Sequence, residues 1–459
     1  MNGRVLRIEL RRSVAPWAGA VVLVTALGFL YLLSGPWWKG TPLWTAQWTS
    51  MAMWTRTLLI FLWPLAVALG ALQGLRDHRS NVSELLASTP RPARHRAAMT
   101  AGATTLTVTL AFGLFVLQGA VQVLAHARYH HLGWLPISLV AGFSLVAGAV
   151  LGMGIARALP SPLTPPALAV AAFLFTGFVR QWSDTAVPTS TLPNRLVLLS
   201  PTVADVREIL LTLSARVHLG QTVWLLGMAV TGFALLLAVT PRTRLLALAP
   251  VVAGAAIALL VLPSDPRRTY VVDEAAAAQV CDGPVCVARV HEARLDGLTG
   301  PGRKALGLLR DALGDQAPTT IREITTPRGL IERPQRSRTA VLVDFDDDAF
   351  ARVDGEDLTR ALVAQGMAPT CWARSQQESG TLGETAAQSV VAGWALGKLE
   401  PIRGTMHPAQ EQLATARPVF RELEGLRWSE QVARIRAAHA AAVSCEGDPL
   451  TVLEGGASR

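Results

Sequence analysis

Four cysteines carry the clearest covalent chemistry in this chain, and all of them follow residue 280: Cys281, Cys286, Cys371 and Cys445. Disulfides form and persist in oxidising compartments. Cys281 and Cys286 are near enough to close a turn, which would leave Cys371 for Cys445, although four cysteines allow three connectivities. A zinc site is the alternative, but one CxxxxC pair with two isolated cysteines and no matching histidine fits zinc spacing poorly. We therefore expect disulfides and no metal.

Three alternating acids form a second candidate site. Asp344, Asp346 and Asp348 are spaced like the first ligands of a calcium loop, but Ala349 and Gly355 stand where that loop needs glycine and glutamate. A phosphotransferase motif is also incomplete, because Asp348 replaces its hydroxyl or apolar residue. The pattern favours solvated acids between a strand and a helix.

A glycine-rich segment, residues 297–304, imitates a phosphate-binding loop. Its lysine is displaced by one position, and Ala305 replaces the hydroxyl residue that would hold magnesium. The pair His291 and Glu292 also falls short of a zinc-hydrolase motif, since Leu295 occupies the position of the second histidine. The chain therefore has no sequence able to hydrolyse ATP, and we do not expect it to be an enzyme.

The elements that surround these residues are unusually apolar. Hydrophobic residues make up 51% of the chain and charged residues only 16%, although the last third is polar. Windows of about 20 residues predict seven apolar spans, the fifth being the shortest. They cover residues 14–33, 57–75, 99–124, 134–156, 166–180, 222–240 and 245–262. The first is predicted to be a retained anchor, because its apolar run is too long for a signal peptide and further spans follow.

The arginines predict an orientation. They cluster before the first span, within residues 76–96, at Arg157, and at Arg242 and Arg244, which seven crossings would place in the cytoplasm with the N-terminus. The opposite segments also carry cations, but these are dispersed. This rule explains much of the net charge of +9, and no basic stripe with interleaved aromatics predicts nucleic-acid binding. The odd number of crossings places the cysteine-bearing tail outside the cytoplasm.

A short polar segment between the second and third spans has the pattern of a docking helix. Asn81 can cap it, with Glu84 returning the bond, and Pro90 stops it. Val82, Leu85 and Leu86 form a small apolar face, which is too short to be stable alone and is expected to dock onto a partner. The alternative is an ordinary cytoplasmic loop.

The predicted spans contain no ionisable residue deep inside. Ion-driven carriers usually need at least one. This absence disfavours secondary transport and predicts that any driving force comes from another subunit.

These features together resemble an ABC-2-type permease, the membrane subunit of an ATP-binding-cassette transporter. The resemblance covers roughly residues 1–240 and includes the basic N-terminus, the loop 79–91 and an external helix before the sixth span. In that family the loop forms a coupling helix seated in a cleft of a cytoplasmic ATPase. The resemblance implies this role for Arg79, Asn81, Val82, Glu84, Leu85, Leu86 and Pro90. It also implies a homodimer or a heterodimer with a second permease, and no cofactor bound to this chain.

Some ABC-2 permeases carry an external domain similar to zinc aminopeptidases. Here Gly383, Glu384 and Ala387 lie where such a domain has its HExxH helix, so both zinc-binding histidines are absent. The resemblance implies a degenerate peptidase-like domain that has lost its metal.

The predicted architecture is an all-α polytopic membrane domain of about six to seven transmembrane helices, residues 1–262, followed by a soluble α+β domain, residues 263–459. Strands are predicted in the tail at 286–291 and 339–345, and helices at 301–313, 356–366, 384–398 and 408–440. We expect a permease subunit in the lipid bilayer of a bacterial plasma membrane, because scarce lysine beside abundant arginine and alanine is typical of a GC-rich bacterial genome. The alternative is a membrane-anchored external binding or sensor module without transport.

Overall fold

A computed structural model describes residues 14–33, 47–79, 92–179, 190–203, 209–326, 335–345, 347–371 and 380–456. The chain forms two compact units, Met1–Val271 and Val272–Arg459. Residues 263–269, which were expected to begin the second domain, hydrogen-bond within the first unit: Asn194 donates to the Pro263 carbonyl and to the Thr269 hydroxyl.

The first unit is helical. Its described helices are α1 (Ala15–Gly28), α2 (Trp48–Thr57), α3 (Leu59–Gly74), α4 (Arg76–Arg79), α5 (Ala93–His126), α6 (Trp134–Ala158), α7 (Thr164–Phe178), α8 (Asn194–Val197), α9 (Ala215–Leu237), α10 (Pro241–Leu246) and α11 (Ala249–Val261). A π-helical turn, Phe29–Leu33, extends α1. Strand β1 (Leu211–Leu213) pairs with β2 (Tyr270–Val272).

Within the described residues, five stretches are long and apolar enough to cross a membrane, and a sixth results if α2 and α3 form one bent span. The five are Ala15–Leu32, Arg94–Ala125, Trp134–Ala158, Ala215–Leu237 and Pro241–Val261. The predicted window at 166–180 corresponds to α7. Its 15 residues reach only about 22 Å at the rise of an α-helix, less than the roughly 30 Å hydrocarbon core of a bilayer.

Helix α6 is at the centre of this unit. Its apolar window is 72% buried, whereas the window at Pro241–Val261 is 17% buried. Gly148 and Gly152 allow this close packing, because small residues let helix backbones approach each other. A Cβ atom added at Gly148 would lie 2.7 Å from the Trp63 indole nitrogen, and one at Gly152 would overlap the Val67 carbonyl oxygen. The α3 and α6 backbones are therefore in direct contact.

The second unit combines helices with a four-stranded sheet. Its strands are β3 (Gln279–Asp282), β4 (Val285–Ala288), β5 (Thr320–Glu323) and β6 (Ala340–Val343), in that spatial order. Strands β3 and β4 form an antiparallel hairpin through Gly283, whose φ of +61° suits glycine. Strand β5 runs parallel to both β4 and β6.

The helices of this unit are α12 (Glu274–Ala277), α13 (Glu292–Leu313), α14 (Asp348–Ala351), α15 (Gly355–Met367), α16 (Leu382–Leu396), α17 (Ala409–Glu424), α18 (Trp428–Ser444) and α19 (Pro449–Leu453). One hydrophobic core joins the sheet to α13, α15 and α16, with Val285, Leu309 and Val390 fully buried. The single helix predicted at 408–440 is two helices, α17 and α18, which are separated at Gly425. The unit combines helices with a small sheet, as predicted, but two of its three strand pairs are parallel. β3 and β5 are strands that the pattern did not indicate.

Candidate functional site

The segment predicted to dock onto an ATPase lies almost entirely outside the described residues. Arg79 is the last residue of α4, and Asn81, Val82, Glu84, Leu85, Leu86 and Pro90 fall within the gap at 80–91. The described chain does place this gap directly after α3 and α4 and before α5. The docking role stays a prediction.

The cysteines pair as Cys281–Cys286 and Cys371–Cys445, with Cα separations of 4.1 Å and 5.6 Å. Cys281 and Cys286 face each other across the β3–β4 hairpin. The second disulfide joins the chain after α15 to the end of α18, which closes a much longer loop. Of the three possible connectivities, this is the one that the hairpin geometry favours.

The residues compared with a peptidase helix have a capping role. Thr381 caps α16 and Glu384 is its third residue, so the two form a capping box. The Glu384 carboxylate accepts hydrogen bonds from the backbone N–H of Thr381 at 2.8 Å and of Cys371 at 2.7 Å. Gly383 and Ala387 flank it in the first turns of α16, and Ala387 is buried. No group of three or more metal-binding side chains occurs among the described residues.

Two of the remaining sequence candidates, residues 297–304 and Asp348, are parts of helices. Residues 297–304 lie inside α13 and form no loop. Asp348 begins α14, while Asp347 caps that helix by accepting from the Ala349 N–H at 3.0 Å. Asp346 lies outside the described residues. The described acids therefore help to start a helix after β6.

The structure also contains a polar site that the sequence reasoning missed, centred on Arg56 near the end of α2. This side chain is fully buried. Its Nε donates to the Pro201 carbonyl at 3.2 Å, and its Nη2 donates to Oε1 of Gln221 in α9. The Gln221 amide in turn donates to the carbonyls of Leu198 and Ser200, at 2.9 and 3.0 Å. One arginine thus ties α2 to α9 and to the segment after α8.

This Arg56 network is not fully satisfied within the described chain. Arg56 Nη1 and His218 Nδ1 are buried without a hydrogen-bond partner among the described residues. His218 and Tyr270 both lie within electrostatic range of Arg56. A buried cation with an uncommitted donor is a place where an anionic or polar group would be stabilised.

The network lies beside a break in the helix. α2 and α3 meet at Leu58 with a bend of 52°. Thr57, next to the break, donates through its hydroxyl to the Val203 carbonyl at 3.2 Å. The residues immediately before the break therefore make their polar contacts with the segment after α8, whereas α3 continues through Pro64 as one helix.

Sequence reasoning missed Arg56 because the predicted span begins at residue 57, one position later. Arg56 therefore lies just outside that window. The signal that would have found it is a single cation between tryptophan-rich and apolar segments, with Trp48 and Trp54 before it.

Comparison with protein-family models, with curated proteins and with solved structures finds no match to this chain.

Proposed function

We propose that this chain is an integral membrane permease subunit that works with a separate cytoplasmic ATPase and exports its cargo. The apolar helices of the first unit, the placement of the arginines and the ABC-2 resemblance of residues 1–240 support this proposal. The paired cysteines of the second unit suit an oxidising compartment.

The observation that carries the proposal is the fully buried Arg56 beside the bend between α2 and α3. A helix that only anchors a protein gains nothing from a charge at such a place, because burial of the charge costs free energy. In membrane proteins, interrupted helices and buried ionisable residues characteristically mark pathways for substrates and ions. Arg56 therefore favours a permease over a membrane-anchored external binding or sensor module. Because it lies within the bent α2–α3 pair, the absence of a buried ionisable residue no longer disfavours an ion-driven carrier, and the coupling to an ATPase is supported by the ABC-2 resemblance.

The order of elements offers a mechanism. Helix α3 has the Arg56 network at one end, and the predicted ATPase-docking segment follows its other end after the four residues of α4. Helix α3 is about 24 Å long. Because α3 and α6 are in tight contact, we expect the two helices to move as one body. ATPase closure at residues 80–90 would thus tilt α3 and α6 together and displace α2 at the bend. That displacement would open or close the polar site.

In this proposal the N-terminus is cytoplasmic, and the disulfide-bonded second unit lies outside the plasma membrane. The external position requires an odd number of crossings, so α7 has to count as one despite its 15 residues. Two copies of the chain, or one copy with a related permease, would enclose the pathway.

Co-purification tests the proposal. A tagged full-length chain, extracted in mild detergent from its native membrane, should bring down an ATPase subunit. Leu85→Asp should abolish that association, because it places a charge on the predicted apolar contact. Ser83→Asp adds the same charge beside that face and should retain the partner. Recovery of no ATPase, or equal recovery with both variants, would favour the anchored module.

A further inference from the structure

The three parallel strands of the second unit end at one edge of their sheet. β4 ends at Ala288, β5 at Glu323 and β6 at Val343, with β4 paired in parallel to β5 and β5 to β6. Ligands of parallel sheets characteristically bind at the carboxyl ends of the strands. The polar side chains at this edge therefore need an explanation of their own.

A buried histidine–glutamate pair lies at this edge. His291 Nδ1 is 2.6 Å from Glu323 Oε1, and their side chains are only 10% and 3% exposed. The other carboxylate oxygen, Oε2, accepts the Ala288 N–H at 2.6 Å. Glu323 is thus held at both oxygens, and it fixes the orientation of the imidazole ring.

This arrangement assigns the functions of the two ring nitrogens. Because Nδ1 faces a carboxylate, the proton of the neutral imidazole belongs on Nδ1, and the lone pair is on Nε2. No residue in the described parts of the chain hydrogen-bonds Nε2 of His291. An imidazole oriented by a carboxylate with a free Nε2 is the arrangement that proteins use to accept a proton from a bound group.

Arg294 places a cation beside this histidine. Its guanidinium lies 5.1 Å from the centroid of the Phe345 ring, and the His291 ring forms a T-shaped contact with the same ring, with their centroids 5.0 Å apart. Nη1 donates to the Ala351 carbonyl at 2.7 Å, which is the one hydrogen bond of this guanidinium within the described chain. Burial lowers the pKa of Arg294, and the nearby Glu323 carboxylate opposes that effect. Its other donors remain for a ligand.

The helix that carries Arg294 adds to the positive potential. α13 begins at Glu292, directly after His291, and the His291 side chain makes no capping hydrogen bond to it. The N-terminus of this 22-residue helix therefore presents the positive end of its dipole at the same edge. Glu292 and Asp296 in the first turns of α13 are the acids nearest to Arg294 in sequence, and Asp344 follows directly after β6.

We propose that this edge is a binding site for a small ligand that carries both an oxyanion and a hydroxyl group. Arg294 pairs with the oxyanion, His291 Nε2 accepts the hydroxyl proton in a hydrogen bond, and Glu323 positions the ring. Phosphate monoesters and hydroxycarboxylates share this chemistry. The site belongs wholly to the second unit, and it depends on no property of the permease or its ATPase.

Chemical modification of His291 tests the site without knowledge of the natural ligand. The full-length chain in detergent is treated with diethyl pyrocarbonate, and the rate of modification of each histidine is read by peptide mass spectrometry. Inorganic phosphate and lactate are the two probes. We expect one or both to slow modification of His291 in a saturable manner, while His439, which is buried and bonded to the Met367 carbonyl, is unaffected.

Variants of one helix provide the control. Arg294→Leu should weaken the protection by about tenfold or more, the effect of losing one charge-assisted hydrogen bond. Arg303→Leu removes an exposed arginine of α13 that pairs with Asp282, and it should keep the protection. Protection by phosphate alone assigns a phosphate ligand, and protection by lactate alone a hydroxycarboxylate. Failure of both ions with the wild-type chain, or equal protection in Arg294→Leu, overturns the proposal.

Discussion

Arg56 and Gln221 are 165 positions apart in the chain, yet Nη2 of the arginine donates to Oε1 of the glutamine in the interior of the first unit. Each side chain also binds the segment 198–201, so three parts of the chain meet at one guanidinium. Arg56 is the one charged side chain among the buried residues that the structure describes in this unit.

Loss of either partner should destabilise the first unit. Gln221→Leu leaves a buried guanidinium with one bond fewer and should lower the free energy of unfolding by about 3 kcal/mol. Arg56→Met leaves the Pro201 and Gln221 oxygens without donors and should cost about 2–4 kcal/mol. The double variant should cost clearly less than the sum, because the two residues share one interaction.

Thermal unfolding of the detergent-solubilised chain measures these effects. Gln118→Leu is a matched control, because that amide donates to the Tyr31 hydroxyl at an exposed position. A Gln221→Leu variant as stable as Gln118→Leu would contradict the structural role of the network.

The contact between α3 and α6 predicts that alanine substitutions at two glycines have very different effects on stability. Gly152→Ala forces a methyl group into the Val67 carbonyl and should cost about 1–3 kcal/mol through overpacking. Gly113→Ala faces open space in α5, so it should be neutral or raise stability by up to about 1 kcal/mol. The melting temperatures of the two variants test this prediction. Equal values would mean that α3 and α6 are not in close contact.

The two disulfides should contribute unequally. Cys371 and Cys445 are separated by 74 residues and Cys281 and Cys286 by 5. Loop-closure entropy then predicts losses of about 4 and about 2 kcal/mol for the respective double serine variants. Unfolding under non-reducing conditions measures the difference. A peptide map that joins a cysteine of one pair to a cysteine of the other would contradict the connectivity.

The second unit should lose stability in mild acid. Burial lowers the pKa of His439 from its ordinary value of 6.5, and the hydrogen bond to the Met367 carbonyl opposes this effect only in part. Below pH 6.5 His439 binds a proton in the unfolded chain, whereas in the folded unit it stays neutral until the pH reaches its lower pKa. The contribution of neutral His439 to the free energy of unfolding is therefore complete above pH 6.5, and it is lost as the pH falls through the lower folded-state pKa.

Denaturant unfolding of the full-length chain between pH 7.5 and 5 checks this dependence through the transition of the second unit. His439→Gln should flatten it, whereas His407→Gln, which removes a less buried histidine of the same unit, should leave the slope unchanged. A slope that persists in His439→Gln would assign the effect to other groups.

Local sequence pattern predicted much of the secondary structure. Long apolar windows correspond to α1, α5, α6 and α9, because a hydrophobic run of that length folds as a helix whatever its neighbours are. The local pattern failed at α13, which begins at Glu292 and not at the predicted residue 301. Pro301 and its flanking glycines indicate a break, but Gly302 packs closely against Val285 and Ile321 of the sheet. That tertiary contact lies outside any sequence window.

Composition and periodicity by themselves determined the division into an apolar helical part and a polar α+β part, and they indicated cysteine pairing in the latter. Only the tertiary structure decided which polar groups meet: Arg56 with Gln221, His291 with Glu323, and Cys371 with Cys445. The reason is physical. Burial of apolar surface depends on local composition, whereas a hydrogen bond or a disulfide requires two specific atoms to approach within a few ångströms, and the chain path between them is set by the packing of the whole unit.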